Sequence, residues 1–177
     1  MRRRWNWWSV CGFLFTLAAG SALHFAYGWR STPAAAAFAL VNESVWEHMK
    51  LLFVPVFLWS MAELGLRPGK GDGFLAARGL AAVIGTLGIP VGYYTVQGIF
   101  GTSPTWANLL LFALCAAAVY LLTGVLQRSG AFCAGIWQII GCLLLWGGLF
   151  AFLYCTFRPP TLPLWLDPGS GLTGILS

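Results

Sequence analysis

The stretch from Ala131 to Phe157 has the sequence AFCAGIWQIIGCLLLWGGLFAFLYCTF and contains no acidic or basic side chain. A transmembrane helix needs about 20 predominantly apolar residues to cross a hydrocarbon core about 30 Å thick. The stretch meets this requirement, and so do four earlier runs, at about 7–29, 43–64, 74–99 and 106–126. The sequence therefore predicts an all-α integral membrane bundle of five transmembrane helices.

The composition excludes a water-soluble globular domain. Hydrophobic residues make up 59% of the chain and charged residues 8%, whereas soluble domains average about 45–50% and about 25%. Too little polar surface remains to cover a soluble core. The 177 residues suffice for a single transmembrane domain, 1–177, whose last span ends near residue 157 and is followed by a polar tail, 158–177.

The ten basic residues predict the orientation of the spans. Placing the N-terminus inside puts seven of them on the inner side, namely Arg2, Arg3, Arg4, Arg67, Lys70, Arg78 and Arg128. The outer side then holds Arg30, Lys50 and Arg158. This excess agrees with the positive-inside rule, and it explains the net positive charge without nucleic-acid binding, for which no basic stripe exists. We expect a bacterial cytoplasmic-membrane protein with its C-terminus outside.

The second apolar run, 34–64, is too long for one span and is interrupted by Asn-Glu-Ser at 42–44. Asn and Ser are common helix N-caps, and Ser44 with Glu47 has the spacing of a capping box. We therefore predict that a helix begins within two residues of Asn42. The preceding residues, 33–41, are predicted to form a short re-entrant or interfacial segment.

Several polar residues are predicted to lie at similar depth near the outer end of the spans. They are His24, Asn42, Glu43, Glu47, His48, Lys50, Tyr93, Tyr94, Arg158 and Asp167. Ionisable side chains at membrane depth are unfavourable and tend to mark functional sites. In a helix that includes residue 43, the side chains of Glu43, Glu47 and Lys50 would share one face. We predict that His24, Glu47 and His48 line one cavity.

Three interpretations of this group remain open. In the first, His24, His48 and one or both of Glu43 and Glu47 bind a divalent metal such as zinc, which accepts imidazole and carboxylate ligands. In the second, the same His and Glu side chains act without metal as catalytic acid and base or as a proton relay. In the third they form a structural network, in which acidic residues complement a helix dipole and Glu pairs with Lys.

The remaining polar residues at this depth would lie on the substrate side of a site. They are Asn42, Lys50, Tyr93, Tyr94, Arg158 and Asp167. Asp167 also has a structural interpretation, because the sequence Leu-Asp-Pro-Gly-Ser-Gly favours a turn in which the Asp side chain caps its own backbone.

The run Val-Asn-Glu-Ser-Val-Trp-Glu-His-Met-Lys-Leu-Leu-Phe at 41–53 resembles a family of small bacterial multipass membrane proteins catalogued only as a domain of unknown function. The segments 23–29, 93–95 and 159–168 are similar to other signatures of that family. The resemblance covers nearly the whole chain. It implies that these segments belong to one fold, and it implies no activity.

Three functions are compatible with these features. We favour an intramembrane hydrolase or transferase that acts on a lipid or lipid-linked substrate in the outer leaflet through the His and Glu side chains. A small transporter or channel is the second, since transporters use interrupted helices. The third is an accessory subunit or homo-oligomer that docks through faces of Gly and Ala, whose small side chains permit close helix packing.

Overall fold

The computed structural model describes residues 7–67 and 72–175. In these residues the chain forms six α-helices, followed by a short 3-10 helix at Pro163–Trp165. The helices are α1 (Trp7–Trp29), α2 (Pro33–Phe38), α3 (Val45–Leu66), α4 (Phe74–Phe100), α5 (Thr105–Ser129) and α6 (Gly135–Phe157). Four of the basic residues that predict the orientation, Arg2, Arg3, Arg4 and Lys70, lie outside the described residues.

All helices except α2 are long and apolar enough to cross a membrane. Large hydrophobic side chains cover the outside of these spans, as fits contact with membrane lipid, and examples are Leu109, Leu121 and Phe150. The short helix α2 precedes the second span. The predicted fold class, an all-α bundle of five spans with a short segment before the second, is confirmed.

The start of α3 is fixed by a side-chain cap. The Ser44 hydroxyl accepts a hydrogen bond from the backbone N–H of Glu47 at 3.4 Å, which satisfies one of the free N–H groups at the helix N-terminus. Glu43 therefore precedes the helix. The predicted common face of Glu43, Glu47 and Lys50 is wrong, because helical periodicity does not extend to residue 43: Glu43 is exposed, whereas Glu47 and Lys50 are buried.

Small residues allow α4 to approach its neighbours closely. A Cβ on Gly79 would collide with the backbone of Gly141 in α6, and a Cβ on Gly141 would collide with the backbone of Leu75. A Cβ on Gly85 would likewise collide with the side chain of Val119 in α5. The small residues of this face of α4 therefore allow close packing against α5 and α6 within the chain.

Replacing Gly141 by valine is expected to destabilise the bundle by about 3 kcal/mol or more, because overpacking typically costs about 1–3 kcal/mol and here the obstacle is backbone. Gly147→Val is the matched control, since a Cβ on Gly147 of the same helix meets no atom within 4 Å. Thermal unfolding in detergent measures both. Equal unfolding temperatures for the two variants would contradict the close α4–α6 contact.

Candidate functional site

One end of the bundle collects the predicted site residues. The antiparallel course of the spans brings together the end of α1, the start of α3, the end of α4, the start of α5 and the tail after α6. We call this the site end. The opposite end holds the last turns of α3 and α5 and the first turns of α4 and α6.

Two histidines and a glutamate converge at the site end. His24 comes from the last turns of α1, His48 from the first turn of α3, and Glu43 from the loop before it. The Glu43 Oε2 atom lies 3.5 Å from His48 Nε2 and 3.9 Å from His24 Nε2. Each residue offers one ligand atom, and these atoms lie within 4.8 Å of one another. We refer to these three residues as the His/Glu cluster.

The imidazole of His48 is held in one orientation by the backbone. Its Nδ1 atom lies 2.9 Å from the carbonyl oxygen of Ser44. A carbonyl oxygen only accepts hydrogen bonds, so Nδ1 carries the proton and donates it. In the neutral ring Nε2 then has a free lone pair, and this nitrogen faces Glu43.

The loop that carries Glu43 is tied to the C-terminal tail. The backbone N–H of Glu43 donates to Asp167 Oδ2 at 2.9 Å, and the Asn42 side chain donates to the carbonyl of Gly174 at 2.7 Å. The ring of Trp165 in the tail stacks on Trp46 of α3. These contacts show that Asn42 and Asp167, both predicted as substrate-side residues, hold the loop in position.

Asp167 is a buried hydrogen-bond acceptor. Its Oδ1 atom accepts from the backbone N–H groups of Gly169 and Ser170. Burial, the largest influence, by itself raises the pKa of the Asp167 carboxyl, but the hydrogen bonds from Glu43, Ser170 and Gly169 together hold that pKa below its ordinary value. The turn predicted around Asp167 therefore also orders the loop of the His/Glu cluster.

Asp167→Asn should lower the free energy of unfolding by about 1.5–3 kcal/mol at neutral pH, because an amide NH₂ would face a backbone N–H and a charge-assisted hydrogen bond would be lost. The folded-state pKa is below the unfolded value of about 3.9, so the carboxylate stabilises the fold above that pH. This stabilisation disappears as the pH falls through the folded-state pKa. Unfolding of both proteins between pH 7 and about pH 2 tests this, and a difference that stays unchanged below about pH 3.9 would contradict it.

Glu47 does not join the His/Glu cluster. Its Oε2 atom forms an ion pair with Lys50 Nζ at 2.6 Å and accepts the backbone N–H of Val41 at 3.2 Å. Lys50 also donates to the carbonyl of Ala36 and to the hydroxyl of Thr156, both at 3.0 Å. The prediction that His24, Glu47 and His48 line one cavity is therefore wrong for Glu47. It is also wrong for His24, which does not belong to the lining of the cavity at this end. The Glu47–Lys50 pair connects α3 to α2 and α6, and Lys50 is completely buried.

A cavity of about 220 Å³ adjoins the His/Glu cluster. Its polar lining comes from five residues: Glu43 in the loop before α3, His48 in α3, Tyr93 in α4, Ser103 in the α4–α5 connection and Asn108 in α5. Its apolar lining comes from Val45, Ile89, Leu111, Phe112 and Pro168. The cavity is therefore amphipathic, with two members of the cluster in its wall.

Three further predicted residues are placed differently with respect to this cavity. Tyr93 lines it, whereas Tyr94, the next residue in α4, is 45% exposed on the outside of the helix and is not part of the lining. Arg158 is exposed at the C-cap of α6. Only Tyr93 of the three is in position to touch a molecule in the cavity.

Sequence reasoning missed two sets of polar residues. Ser103 lines the cavity from the α4–α5 connection and Asn108 lines it from the first turn of α5, and neither belongs to a motif. At the opposite end, Glu63 forms ion pairs with Arg78 at 2.8 Å and with Arg67 at 2.6 Å. Glu63 and Arg78 lie in apolar runs, and that isolation could have indicated a buried pair.

The fold and the site together define a multipass helical membrane protein with a His/Glu cluster and an amphipathic cavity at one end of its bundle. Residues 1–175 match the family of unknown function DUF6512, and the chain belongs to this family. The predicted resemblance to a family catalogued only as a domain of unknown function is thereby confirmed. Searches of curated proteins and of solved structures each find no match.

Proposed function

We propose that the protein is an intramembrane hydrolase or transferase that acts on a lipid or lipid-linked substrate at the outer leaflet of a bacterial cytoplasmic membrane. The observation that carries this proposal is the position of Glu43 and His48 in the wall of an amphipathic cavity. Polar groups that converge on a mostly apolar cavity are the common arrangement of ligand and active sites.

Within this proposal, Glu43 and His48 supply the acid–base chemistry. His48 has its Nδ1 proton held by Ser44, so Nε2 is the atom that accepts a proton from a water or hydroxyl nucleophile. Glu43 beside it stabilises the imidazolium that forms. Tyr93 and Asn108 provide hydrogen-bond donors across the cavity. His24, the third member of the cluster, approaches Glu43 Oε2 from α1 at 3.9 Å and would favour its ionised form when the imidazole is protonated.

The shape of the cavity supports an amphiphilic substrate. Ile89, Leu111 and Phe112 provide an apolar wall within the spans, whereas Ser103 and Asn108 lie at the end of the bundle. Its volume of about 220 Å³ is below the roughly 300–1,000 Å³ that encloses a drug-sized ligand. The cavity therefore accommodates the reacting part of a lipid while the chains remain in the bilayer.

The outer-leaflet location rests on the orientation predicted from charge. Arg30 and Arg158 lie at the site end, and Arg67, Arg78 and Arg128 lie at the opposite end. The positive-inside rule places the site end outside, with the N-terminus inside and the C-terminus outside.

Lipid analysis of cells that lack the chromosomal copy and carry plasmid-borne variants tests the proposal. Wild-type protein should deplete one lipid class and accumulate its product, and His48→Asn should abolish this difference. Tyr94→Phe is the control, because the exposed Tyr94 ring lies outside the cavity lining. Identical lipid profiles in cells with wild-type protein and with His48→Asn would contradict the enzymatic proposal.

A further inference from the structure

We propose that His24, Glu43 and His48 bind one divalent transition-metal ion, for which zinc is the best fit. The proposal rests on the proposed function and deepens it, because it supplies a cofactor for the same site. With the ion bound, His48 Nε2 would be a ligand, and the metal rather than this nitrogen would activate the water or hydroxyl nucleophile. Its argument rests on the positions of the ligand atoms and requires no catalysis.

The first argument is electrostatic. His48 donates its Nδ1 proton to the Ser44 carbonyl, so its Nε2 lone pair points toward the Glu43 carboxylate at 3.5 Å. His24 Nε2 approaches the same carboxylate oxygen at 3.9 Å. Two unprotonated imidazole nitrogens and a carboxylate oxygen that face one another repel, and either a proton or a metal cation between them relieves that repulsion. A bound cation converts this repulsion into coordination.

The second argument is distance. Zinc binds imidazole nitrogen at about 2.0–2.1 Å and carboxylate oxygen at about 2.0–2.2 Å, so two ligands of a tetrahedral ion lie roughly 3.3–3.5 Å apart. The Glu43 oxygen lies 3.5 Å and 3.9 Å from the two histidine nitrogens. A single shared proton would bring one pair to hydrogen-bond distance, about 2.7–3.2 Å. The 3.5 Å separation lies at the upper end of the range for zinc ligands and the 3.9 Å separation is about 0.4 Å above it, so a small side-chain movement would bring these atoms around one ion.

The third argument is the surroundings of the three side chains. Metal-binding histidines usually donate their second N–H to a backbone carbonyl or carboxylate, as His48 does to Ser44. The backbone of Glu43 is fixed by Asp167. The side chains of His24 and His48 are about one third exposed, at 33% and 34%, which leaves a path for an ion.

Two imidazoles and one carboxylate form the ligand set of many catalytic zinc sites, which leave a further position for water or substrate. Glu43 and His48 also line the cavity. A metal at this position would therefore contact a substrate held there and supply Lewis-acid chemistry. The residues of the chain that would orient such a substrate are Tyr93 and Asn108.

Metal binding by the full chain in detergent tests this inference without a substrate. After chelation and dialysis, calorimetric titration with Zn²⁺ should show one site per chain. His24→Ala, His48→Ala and Glu43→Gln should each weaken binding by more than about 100-fold, because even an outer-shell change costs about 10–100-fold. Tyr94→Phe should bind as the wild type does. Binding should also weaken at acid pH, since protons compete for the ligands.

Co²⁺ substitution provides the second measurement, because Cys11 and Cys133 are exposed and could bind metal themselves. Absorption by tetrahedral cobalt without a thiolate charge-transfer band is expected. A thiolate band, binding that survives in all three variants, or no stoichiometric binding by folded wild-type protein would overturn the inference. If folded wild-type protein binds no metal, the metal inference fails, but His48 and Glu43 can still act as acid and base without a metal. If the protein binds zinc but converts no lipid, the metal inference stands and the proposed lipid hydrolase or transferase activity fails.

Discussion

Replacing Lys50 by methionine is expected to lower the free energy of unfolding by about 3–5 kcal/mol, because it leaves the partner of a buried ion pair without compensation. Lys50 is completely buried and Glu47 is 2% exposed, so water cannot solvate the remaining carboxylate. The loss also removes the hydrogen bonds of Lys50 to Ala36 and Thr156. Denaturant titration in detergent micelles measures the effect.

The double variant Glu47→Gln/Lys50→Met is the control for this prediction. It removes both charges, and the glutamine can still accept the N–H of Val41. Replacement of a whole buried pair is often close to neutral, so the double variant should recover most of the lost stability. Arg158→Met, at an exposed position, should have little effect. A single variant as stable as the wild type would show that Glu47 and Lys50 are not a buried pair.

The second large effect is expected for Arg78→Met, at the opposite end of the bundle. Arg78 is 1% exposed, pairs with Glu63, and lies against the rings of Phe74 and Tyr120, whose centroids are 5.2 Å and 4.8 Å away. Its loss should destabilise by about 3 kcal/mol or more, because the Glu63 charge stays buried.

Comparison of Arg67→Met with Arg78→Met shows whether burial or charge alone causes the loss of stability. Arg67 pairs with the same Glu63 carboxylate, but its side chain is 23% exposed. Partial exposure lowers the contribution of an ion pair to stability toward the range of about 0–1 kcal/mol found at surfaces. Unfolding measurements should therefore rank Arg78→Met well above Arg67→Met. Equal losses of unfolding free energy in the two variants would show that the aromatic rings and the burial around Arg78 add nothing to the stability of the fold.

The spans and the break in the second apolar run could be predicted from the sequence because both depend on local properties. Five spans follow from the length of the apolar runs. The break follows from Asn42 and Ser44, whose side chains cap backbone groups, and Ser44 does cap α3. The depth of His24 and His48 follows from their positions near the span ends, and the structure places the two ring centroids 5.7 Å apart.

The identity of the glutamate in the cluster could not be predicted, because it depends on where α3 begins. Extending the helix to residue 43 places Glu43 and Glu47 on one face, whereas a cap at Ser44 leaves Glu43 in a loop that turns toward the histidines. The tail contacts depend on tertiary structure alone. Asn42 contacts Gly174, 132 residues later in the chain, and no local pattern indicates such a pairing.

The measurement that tests the central claim most directly is lipid turnover by the purified protein in vesicles that contain the lipid class identified in cells. Wild-type protein should convert this lipid. His48→Asn and Glu43→Gln should reduce the rate by about 10²–10⁴-fold, the usual contribution of a positioned acid or base, while Tyr94→Phe retains the wild-type rate. Conversion at an unchanged rate by folded His48→Asn protein would contradict the assignment of the His/Glu cluster as the active site.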